Sequence, residues 1–330
     1  MKVYYNINEI IFDKNRVVTI GGFDGIHLGH QKILNAITTN ATGQNLKKLV
    51  ITFNPLPKHF LQNSNQSVLT SIEEKLKIFN KIGIDEVLIM DFNKELSKLS
   101  ANTFFELLLN KVGFKFYIVG ENHTFGCNGT GNLELLHTIK KKFNDNYEVI
   151  GINSHKENNI VVSTSLIKKL ILTENIEKIN SLLGYPYLLI GEVIEGNKIG
   201  RQLGFPTANI NIIKNKIIPK KGVYLVQVEF QKESRSIINP INIISTEDKN
   251  FNNYYGIANI GNRPTINNQN NLYQEHLEVH IFDFDNIIYG MKLNIKFMQY
   301  IRNEIKFKDT NELKEQISKD IAFCRRHCYC

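Results

Sequence analysis

The sequence from Val17 to Gln31 reads VVTIGGFDGIHLGHQ. Its first four residues are β-branched and predict a short buried strand, and the glycines that follow allow the backbone to turn tightly and approach a ligand. The residues after Ile26 predict the start of a helix, where free backbone N–H groups and the helix dipole favour a phosphate. A strand, a glycine-rich turn and a helix start in this order predict a phosphate-binding turn.

Two histidines, His27 and His30, belong to this turn. Because they are three residues apart at a helix start, they lie on one side and can both face a bound phosphate. Two imidazole donors there can stabilise charge that develops on a pentavalent α-phosphate. The Lys and Ser of a P-loop do not follow the glycines. The alternative is a glycine-rich turn with incidental surface histidines.

From Val17 to about Leu183, short apolar runs alternate with helical patterns, which predicts an α/β domain built on a parallel sheet. The predicted strands cover residues 17–20, 49–53, 86–90, 116–119 and 148–152. The predicted helices cover residues 31–38, 72–82, 102–111 and 133–143. Ser71 and Glu74 are spaced as a capping box.

After Gly184 and Pro186 the pattern changes to alternating, β-branched segments, and we place a domain boundary between residues 184 and 185. Strands are predicted at 187–194, 223–230, 237–244, 256–260, 277–282 and 293–297. Six strands without intervening helices predict an antiparallel β-barrel. Asp309 then begins a C-terminal helix that extends to about Cys324.

Two further segments follow predicted strands of the first domain and fit the same crevice. The first is the loop 120–126, which contains Asn122, and the second is SerThrSer at 163–165 followed by Lys168. Hydroxyl groups at a helix start with a cation one turn later suit the β- and γ-phosphates of a nucleotide. Taken singly, the two segments also fit an Asx turn and a helix N-cap.

The second domain has a candidate site of its own in the loop that follows its first strand. The conformationally rigid Pro206 precedes Thr207 and Asn209, whose side-chain oxygens can hold a hard cation such as Mg²⁺. Glu278 lies on a later strand, on the face opposite Leu277, and a carboxylate beside MgATP can take the proton of an attacking hydroxyl. The alternatives are a plain hairpin loop and a solvent-facing glutamate.

Several segments resemble bacterial bifunctional riboflavin kinases/FAD synthetases. Those similar to the adenylyltransferase half are residues 21–31, 53–57, 119–126 and 163–168. Those similar to the riboflavin kinase half are residues 200–209, 259–265, 278–284 and 289–307. The resemblance covers nearly the whole chain. It implies a Rossmann-like nucleotidyltransferase domain (1–184) that makes FAD from FMN and ATP, releasing pyrophosphate. It also implies a barrel domain (185–330) that makes FMN from riboflavin and ATP.

The resemblance also implies roles for single residues. His27 and His30 are the implied catalytic donors of adenylyl transfer, and Glu278 is the implied base for the riboflavin 5′-hydroxyl. The implied ATP-binding residues of the first domain are Gly22, Phe23, Asp24, Gly25, Gly29, Asn122, Ser163, Thr164, Ser165 and Lys168. Those of the second are Gly200, Arg201, Gly204, Pro206, Thr207 and Asn209, of which Thr207 and Asn209 also hold Mg²⁺. The implied flavin-binding residues are Asn259, Arg263, Arg302 and Glu304, beside the C-terminal helix.

Two single positions and one segment depart from the family pattern. Glu195 stands where histidine is common, and His123 stands where phenylalanine is usual. The 163–168 segment has Ser-Thr-Ser and Lys168 in place of Ser-Ser-Thr and arginine. Because lysine lacks the bidentate fork of arginine, we expect weaker nucleotide binding at the adenylyltransferase site before any loss of chemistry.

The composition is that of a globular chain: 330 residues, 42% hydrophobic and 22% charged. It excludes a disordered, collagen-like or coiled-coil protein, and no apolar run approaches the roughly 20 residues of a membrane span. Without a signal peptide and with four cysteines, three of them in the last seven residues, we expect a cytoplasmic protein with no disulfide framework. A metal site in that tail is a minor alternative.

The net charge of +8 suits nucleic acid, acidic lipid or phosphorylated small molecules, and charge alone does not choose among them. We expect riboflavin, FMN and ATP as partners, no nucleic acid or membrane, and a monomer or weak homo-oligomer. One alternative is a riboflavin kinase whose first domain is inactive or acts on another substrate. A remote alternative is a basic protein that binds nucleic acid.

Overall fold

The computed structural model describes residues 1–63, 67–143, 147–196, 199–231, 253–263 and 274–328. These residues form two compact units, Met1–Leu166 and Ile167–Cys330. The domain boundary predicted between residues 184 and 185 lies further along the chain than the division between these two units. Residues 167–184, which lie between the two positions, belong to the second unit. There the Asn180 side chain donates from Nδ2 to the Phe297 carbonyl at 2.8 Å.

The first unit contains a parallel sheet flanked by helices, as the sequence predicts. Its strands are β1 (Lys2–Tyr4), β2 (Arg16–Ile20), β3 (Lys47–Phe53), β4 (Glu86–Met90), β5 (Phe116–Gly120), β6 (Glu148–Ile152) and the hairpin of β7 (Lys156–Glu157) and β8 (Ile160–Val161). Its helices are α1 (Leu28–Ala41), α2 (Pro57–Leu61), α3 (Ile72–Ile82), α4 (Lys94–Lys98), α5 (Ala101–Lys111), α6 (Leu133–Phe143) and the start of α7 (Thr164–Leu170). Two 3-10 turns, Ile7–Glu9 and Cys127–Gly129, complete it.

The sheet has the order β1-β4-β3-β2-β5-β6, with every neighbouring pair parallel. Alternate strand residues point to opposite faces. Val17 and Val50 pack with Leu34 of α1 and Phe79 of α3 on one face. Side chains of α5 and α6 cover the other face. The loops after β2, β3 and β5 therefore meet at the carboxyl edge of the sheet, where open α/β sheets bind their ligands.

Helix α3 begins as predicted. The Ser71 hydroxyl accepts from the Glu74 N–H, and the Glu74 carboxylate accepts from the Ser71 N–H. The helix ends at Gly83, whose φ of 85° lies in the left-handed region. The predicted capping box is confirmed, and it fixes where the buried face of α3 meets the sheet.

The second unit is a closed antiparallel barrel with a C-terminal helix, and the predicted fold class is confirmed. Its strands are β9 (Tyr187–Ile194), β10 (Ala208–Ile212), β11 (Gly222–Phe230), β12 (Tyr254–Arg263), β13 (Gln274–Ile281) and β14 (Lys292–Arg302), closed in the order β10-β13-β12-β11-β14-β9. Its helices are α8 (Ile176–Leu183), the short α9 (Ile199–Gln202) and α10 (Thr310–Cys328).

One barrel strand differs from the prediction. The segment Ala208–Ile212 forms β10, although the sequence analysis treated it as part of a loop. It pairs with β9 and β13. Its apolar residues alternate with Asn209 and Asn211, but the strand has only five residues in which this alternation can be seen. The strand predicted at 237–244 lies outside the described residues. Among the described helices, none is long and apolar enough to cross a membrane.

Candidate active sites

The two histidines of the glycine turn lie against each other at the start of α1. Their ring centroids are 3.8 Å apart and the ring planes differ by 23°, so the imidazoles stack. Burial lowers the pKa of His27 to about 4, with Asp24 opposing this and His155 adding to it. Burial, together with His27 and Lys75, holds the pKa of His30 well below its usual range. Both rings are therefore neutral at pH 7, and each carries one N–H donor.

One ring nitrogen of each histidine is without a partner in the described part of the chain. The Nδ1 atoms of His27 and His30 are buried and have no hydrogen-bond partner within the described part of the chain. A Cβ at Gly29 would lie 3.1 Å from atoms of the His27 ring, so glycine leaves the room that the ring occupies. Buried polar atoms without a partner are rare in proteins, and a bound ligand is one explanation for them.

The turn is held by residues from two distant segments. The carboxylate of Asp24 accepts from the N–H groups of Leu69 at 2.7 Å and Thr70 at 3.1 Å. The Asp24 carbonyl accepts from the Thr164 hydroxyl at 2.8 Å. Gly25 has a φ of 92°, which glycine adopts without strain, and its N–H donates to Thr70 Oγ1. The structure thus brings Asp24, Gly25 and Thr164 together.

The 163–168 segment also contains Ser163, Ser165 and Lys168. The Ser163 hydroxyl accepts from the Leu166 N–H at 3.3 Å and caps α7. Ser165 is exposed, and Lys168 follows one turn later on the same helix, beyond the boundary between the two units. The hydrogen bond from the Thr164 hydroxyl to the Asp24 carbonyl joins this segment to the glycine turn.

The loop after β5 contains Asn122 and His123. Asn122 is exposed, and its Nδ2 donates to Ser154 Oγ at 3.0 Å. The His123 ring stacks on Phe125 with centroids 5.8 Å apart, and burial lowers its pKa to about 4. His123 is therefore neutral at pH 7, which explains how an imidazole is accommodated where the resembled family has an apolar ring.

A residue that the sequence analysis did not single out also contacts the turn. Lys75 of α3 is 2% exposed, and its Nζ donates to the Gly22 carbonyl at 2.7 Å. The hydroxyl of Thr52 on β3 donates to the same carbonyl at 3.3 Å. Fifty-three positions separate Lys75 from Gly22, so no local pattern could have linked them.

In the second unit, the predicted kinase residues meet on three neighbouring strands. Asn209 of β10 is in register with Glu278 of β13, and Glu278 is in register with Asn259 of β12. Residues directly opposite one another on antiparallel strands project from the same face, so the three side chains are neighbours. The Glu278 side chain is 35% exposed. A partly exposed carboxylate between two amides is suited to bind and deprotonate a hydroxyl group.

Two histidines flank Glu278 on its own strand. His276 Nε2 lies 2.8 Å from Glu278 Oε1, and His280 Nδ1 lies 2.8 Å from the Pro206 carbonyl. Burial lowers the pKa of His280, although its bond to Pro206 opposes this. Because side chains alternate along a strand with a period of two, His276 and His280 share the face of Glu278, and this period could have identified both from the sequence.

Glycines make room for the predicted cation ligands. A Cβ at Gly196 would collide with the side-chain amide of Asn209, and one at Gly200 would lie 3.1 Å from Thr207 Oγ1. Asn209 is 4% exposed, and its Oδ1 has no hydrogen-bond partner among the residues described. A buried amide oxygen near a hydroxyl fits a hard cation such as Mg²⁺, which also takes phosphate oxygens and waters as ligands.

A cavity of about 410 Å³ lies beside these residues, between the barrel and α10. Its wall includes Asn259, Glu278, Arg302 and Glu304. The Arg302 guanidinium binds the Asp320 carboxylate of α10 through contacts of 2.7 to 3.0 Å, so it ties β14 to the helix. The side chain of Arg263 lies outside the described part of the chain.

The predicted ATP-binding residues of the barrel do not all line this cavity. Gly200, Thr207 and Asn209 do. Arg201 and Pro206 line a separate cavity of about 60 Å³, which also touches Thr207. Gly204 is exposed, with a φ of 88°. Thr207 is therefore the residue that links the two cavities.

Two family models match the chain, FAD synthetase over residues 10–166 and riboflavin kinase over residues 183–328. A bifunctional riboflavin kinase/FMN adenylyltransferase of Buchnera aphidicola subsp. Schizaphis graminum is 38% identical over 331 residues, which cover 98% of this chain and 96% of the relative. The protein of that name from Haemophilus influenzae is 34% identical over 319 residues, covering 96% and 95%. A crystal structure described as a macrolide-efflux protein from Streptococcus pneumoniae has a TM-score of 0.81 at 28% identity and 98% coverage of both chains.

Proposed function

The chain belongs to the family of bifunctional riboflavin kinases/FMN adenylyltransferases, and from this premise we propose how its residues divide the two activities. It phosphorylates riboflavin to FMN with ATP and adenylylates FMN to FAD. The matches to both halves favour this over a kinase with an inactive first domain. We assign FAD formation to residues 1–184 and FMN formation to residues 185–330.

We propose that His27 and His30 are the catalytic donors of adenylyl transfer. An FMN phosphate oxygen attacks the α-phosphorus of ATP, a new P–O bond forms, and pyrophosphate leaves. Two neutral imidazoles can donate to the α-phosphate oxygens as negative charge grows there. The stacked rings and their partnerless nitrogens support this assignment. The glycine turn, Asn122 and the 163–168 segment are the proposed nucleotide-binding residues, with Thr164 the best supported.

We propose that Glu278 is the base of the kinase reaction. Its carboxylate accepts the proton of the riboflavin 5′-hydroxyl as that oxygen attacks the γ-phosphorus of ATP, and ADP leaves. The register with Asn209 and Asn259 supports this, because it places the carboxylate at the cavity wall beside the proposed cation ligands. Asn259, Arg263, Arg302 and Glu304 remain the proposed flavin-binding residues.

Mg²⁺ is the proposed metal of the kinase site, held by Thr207 and Asn209. When bound, it neutralises charge on the ATP phosphates. The buried, partnerless Oδ1 of Asn209 supports this choice. We further propose a cytoplasmic location and a monomer or weak homo-oligomer whose partners are riboflavin, FMN and ATP, for which the charge of +8 is favourable.

The observation that carries the assignment is that each cluster lies within the segment matched by one family model. The test is to incubate purified His30→Ala and Glu278→Gln proteins with MgATP and either riboflavin or FMN, and to follow FMN and FAD by chromatography. We expect His30→Ala to lower FAD formation by about 100-fold or more and to spare FMN formation, since removing one such donor costs about that much. Glu278→Gln should do the reverse. If either substitution abolished both activities in a folded protein, the two-site assignment would be wrong.

A further inference from the structure

A buried lysine lies directly against the glycine turn of the first unit. The Lys75 side chain crosses from α3 to the turn, is 2% exposed, and donates to the Gly22 carbonyl at 2.7 Å. A buried ammonium group loses its hydration, so an apolar side chain would serve packing alone better. The position of Lys75 therefore calls for an explanation beyond packing.

The bond to Gly22 determines which way one peptide group faces. In a trans peptide the C=O of one residue and the N–H of the next point in opposite directions. Because the Gly22 carbonyl faces Lys75 and Thr52, the N–H of Phe23 is turned to the other side of the turn. Phe23 itself has a φ of 46°, which is unusual for a residue with a side chain. The surrounding contacts therefore keep the backbone in a conformation that it would not adopt alone.

The residues just before Lys75 hold the rest of the turn. Thr70 Oγ1 accepts from the Gly25 N–H at 2.9 Å, and the N–H groups of Leu69 and Thr70 donate to Asp24. The segment Leu69 to Lys75 thus contacts the turn at the Gly22 carbonyl, the Asp24 carboxylate and the Gly25 N–H. Lys75 contributes the positive charge in this set of contacts.

That charge also reaches the histidine pair. Lys75 is one of the groups that hold the pKa of His30 below its usual range, after burial and His27. The sequence has no lysine at the place where a P-loop has one. Instead, Lys75 of α3 contacts the turn from a distant segment of the chain.

We propose that Lys75 is a positioning residue of adenylyl transfer: by holding the Gly22 carbonyl it presents the Phe23 N–H to the α-phosphate of ATP, and its fixed charge favours the negative charge that develops there. The inference rests on the proposed assignment of FAD formation to the His27 and His30 turn.

The test compares Lys75→Met, which keeps the length of the side chain, with Lys75→Gln, which keeps a hydrogen-bond donor without the charge. For Lys75→Met we expect kcat for FAD formation from supplied FMN to fall at least 30-fold while KM for FMN changes less than threefold. Lys75→Gln should recover part of the loss. FMN formation from riboflavin by the same proteins should stay within twofold of the wild type.

A pH profile separates this role from a structural one. The groups that act on the two rings are Asp24, Lys75 and His155. Without the Lys75 charge, His30 should protonate more readily, so the acid limb of kcat for FAD formation should move to higher pH. A merely structural effect would lower kcat by the same factor at every pH.

The matched control is Lys216→Met in the second unit. Lys216 is also a buried lysine, 6% exposed, and its Nζ donates to the Leu188 carbonyl at 2.9 Å. Its removal should leave FAD formation from FMN unchanged. Rates are expressed per folded protein by circular dichroism, and if Lys75→Met fails to fold, Lys75→Gln is judged by the same criteria.

The inference is overturned if folded Lys75→Met, or folded Lys75→Gln in its place, forms FAD within threefold of the wild type with an unshifted pH profile. It is also overturned if Lys216→Met lowers FAD formation as much. His30→Ala, measured in parallel, identifies which assignment has failed. If that variant also forms FAD normally, the proposed function of the turn falls; if it does not, only the role of Lys75 falls.

Discussion

His27 and His30 illustrate how burial determines the chemistry of a single side chain. An exposed histidine titrates near pH 6.5 and is partly charged in a neutral solution. Burial lowers the pKa of His27 to about 4 and lowers that of His30 as well, so both rings are neutral at pH 7. Two neutral rings can stack at 3.8 Å without the repulsion that two imidazolium ions would suffer.

Gly196 offers a test of the space around Asn209. In Gly196→Ala the new Cβ would collide with the Asn209 side-chain amide, so that side chain must leave its place. We expect FMN formation to fall at least about 10-fold, mainly through a higher KM for MgATP, because a displaced oxygen ligand weakens nucleotide binding by about 1.4 kcal/mol or more. Steady-state kinetics with riboflavin measures this.

The control for Gly196 is Gly290→Ala, at a glycine with a φ of 76° and no atom within 4 Å of its Cβ position. It introduces backbone strain without a collision and should lower stability while sparing KM. Equal KM values for Gly196→Ala and wild type would show that Asn209 does not act in MgATP binding.

The contact of His276 with Glu278 predicts a graded effect on the kinase reaction. His276 Nε2 holds one carboxylate oxygen at 2.8 Å and so restricts how the carboxylate is oriented. We expect His276→Ala to lower kcat for FMN formation by roughly 10-fold, as loss of a base-orienting partner does, and His276→Gln to retain more activity because its amide can donate. Stopped time courses with riboflavin measure both, and FAD formation from FMN should be unchanged. Activities in the reverse order would contradict an orienting role.

At the scale of elements, a buried ion pair connects two strands that are not adjacent in the sheet. Arg16 of β2 binds Glu86 of β4 at 2.6 Å, and the Tyr4 hydroxyl of β1 donates to the same carboxylate at 3.0 Å. The guanidinium also donates to the Ile11 and Val112 carbonyls. Burial alone would raise the pKa of Glu86, but these partners hold it below its usual value.

Glu86→Gln removes this carboxylate's charge and leaves the buried guanidinium without a counter-ion. Breaking a buried pair in this way costs roughly 3–5 kcal/mol, so the first unit should unfold at distinctly lower urea concentration. Circular dichroism measures the midpoint. As a control, Asp85→Asn alters the partly exposed pair with Lys48 at 3.8 Å and should cost less than about 1 kcal/mol. Similar midpoints for both variants would refute the structural role of Glu86.

At the scale of the whole molecule, buried histidines make the first unit sensitive to acid. His27 and His123 both have pKa values near 4 in the folded chain, against about 6.5 when unfolded. As pH falls through 6.5, the unfolded chain binds protons that the folded chain does not, so the free energy of unfolding decreases. The loss occurs between about pH 6.5 and 4 and amounts to roughly 3 kcal/mol for each histidine.

The test is urea unfolding at pH 7.5 and pH 5, followed by circular dichroism. In His123→Phe one of the buried histidines is gone, so the drop in midpoint between the two pH values should be smaller than in wild type. His137→Phe, at an exposed histidine of α6, should leave the drop unchanged. An identical pH dependence for His123→Phe and wild type would contradict the buried, neutral state of His123.

Much of the molecule follows from local sequence. The β-branched runs predicted the main parallel strands, the 3.6-residue period predicted α3 and α6, and Ser71 with Glu74 predicted the capping box, because each signal depends on neighbours within a few positions. The pairing of His27 with His30 was predictable for the same reason. So was the shared face of Glu278 and His280, since a strand alternates with a period of two.

The tertiary structure decided what distant segments do to one another. Four contacts join residues that no sequence periodicity relates. They are the hydrogen bonds of Lys75 with Gly22 and of Asp24 with Thr70, and the ion pairs of Arg16 with Glu86 and of Arg302 with Asp320. The register that places Asn209 and Asn259 beside Glu278 depends on barrel closure, and β10 is too short to be recognised before its neighbours pair with it. Local preferences choose helix or strand, whereas burial, register and charge at a site depend on contacts that exist only once the whole chain has folded.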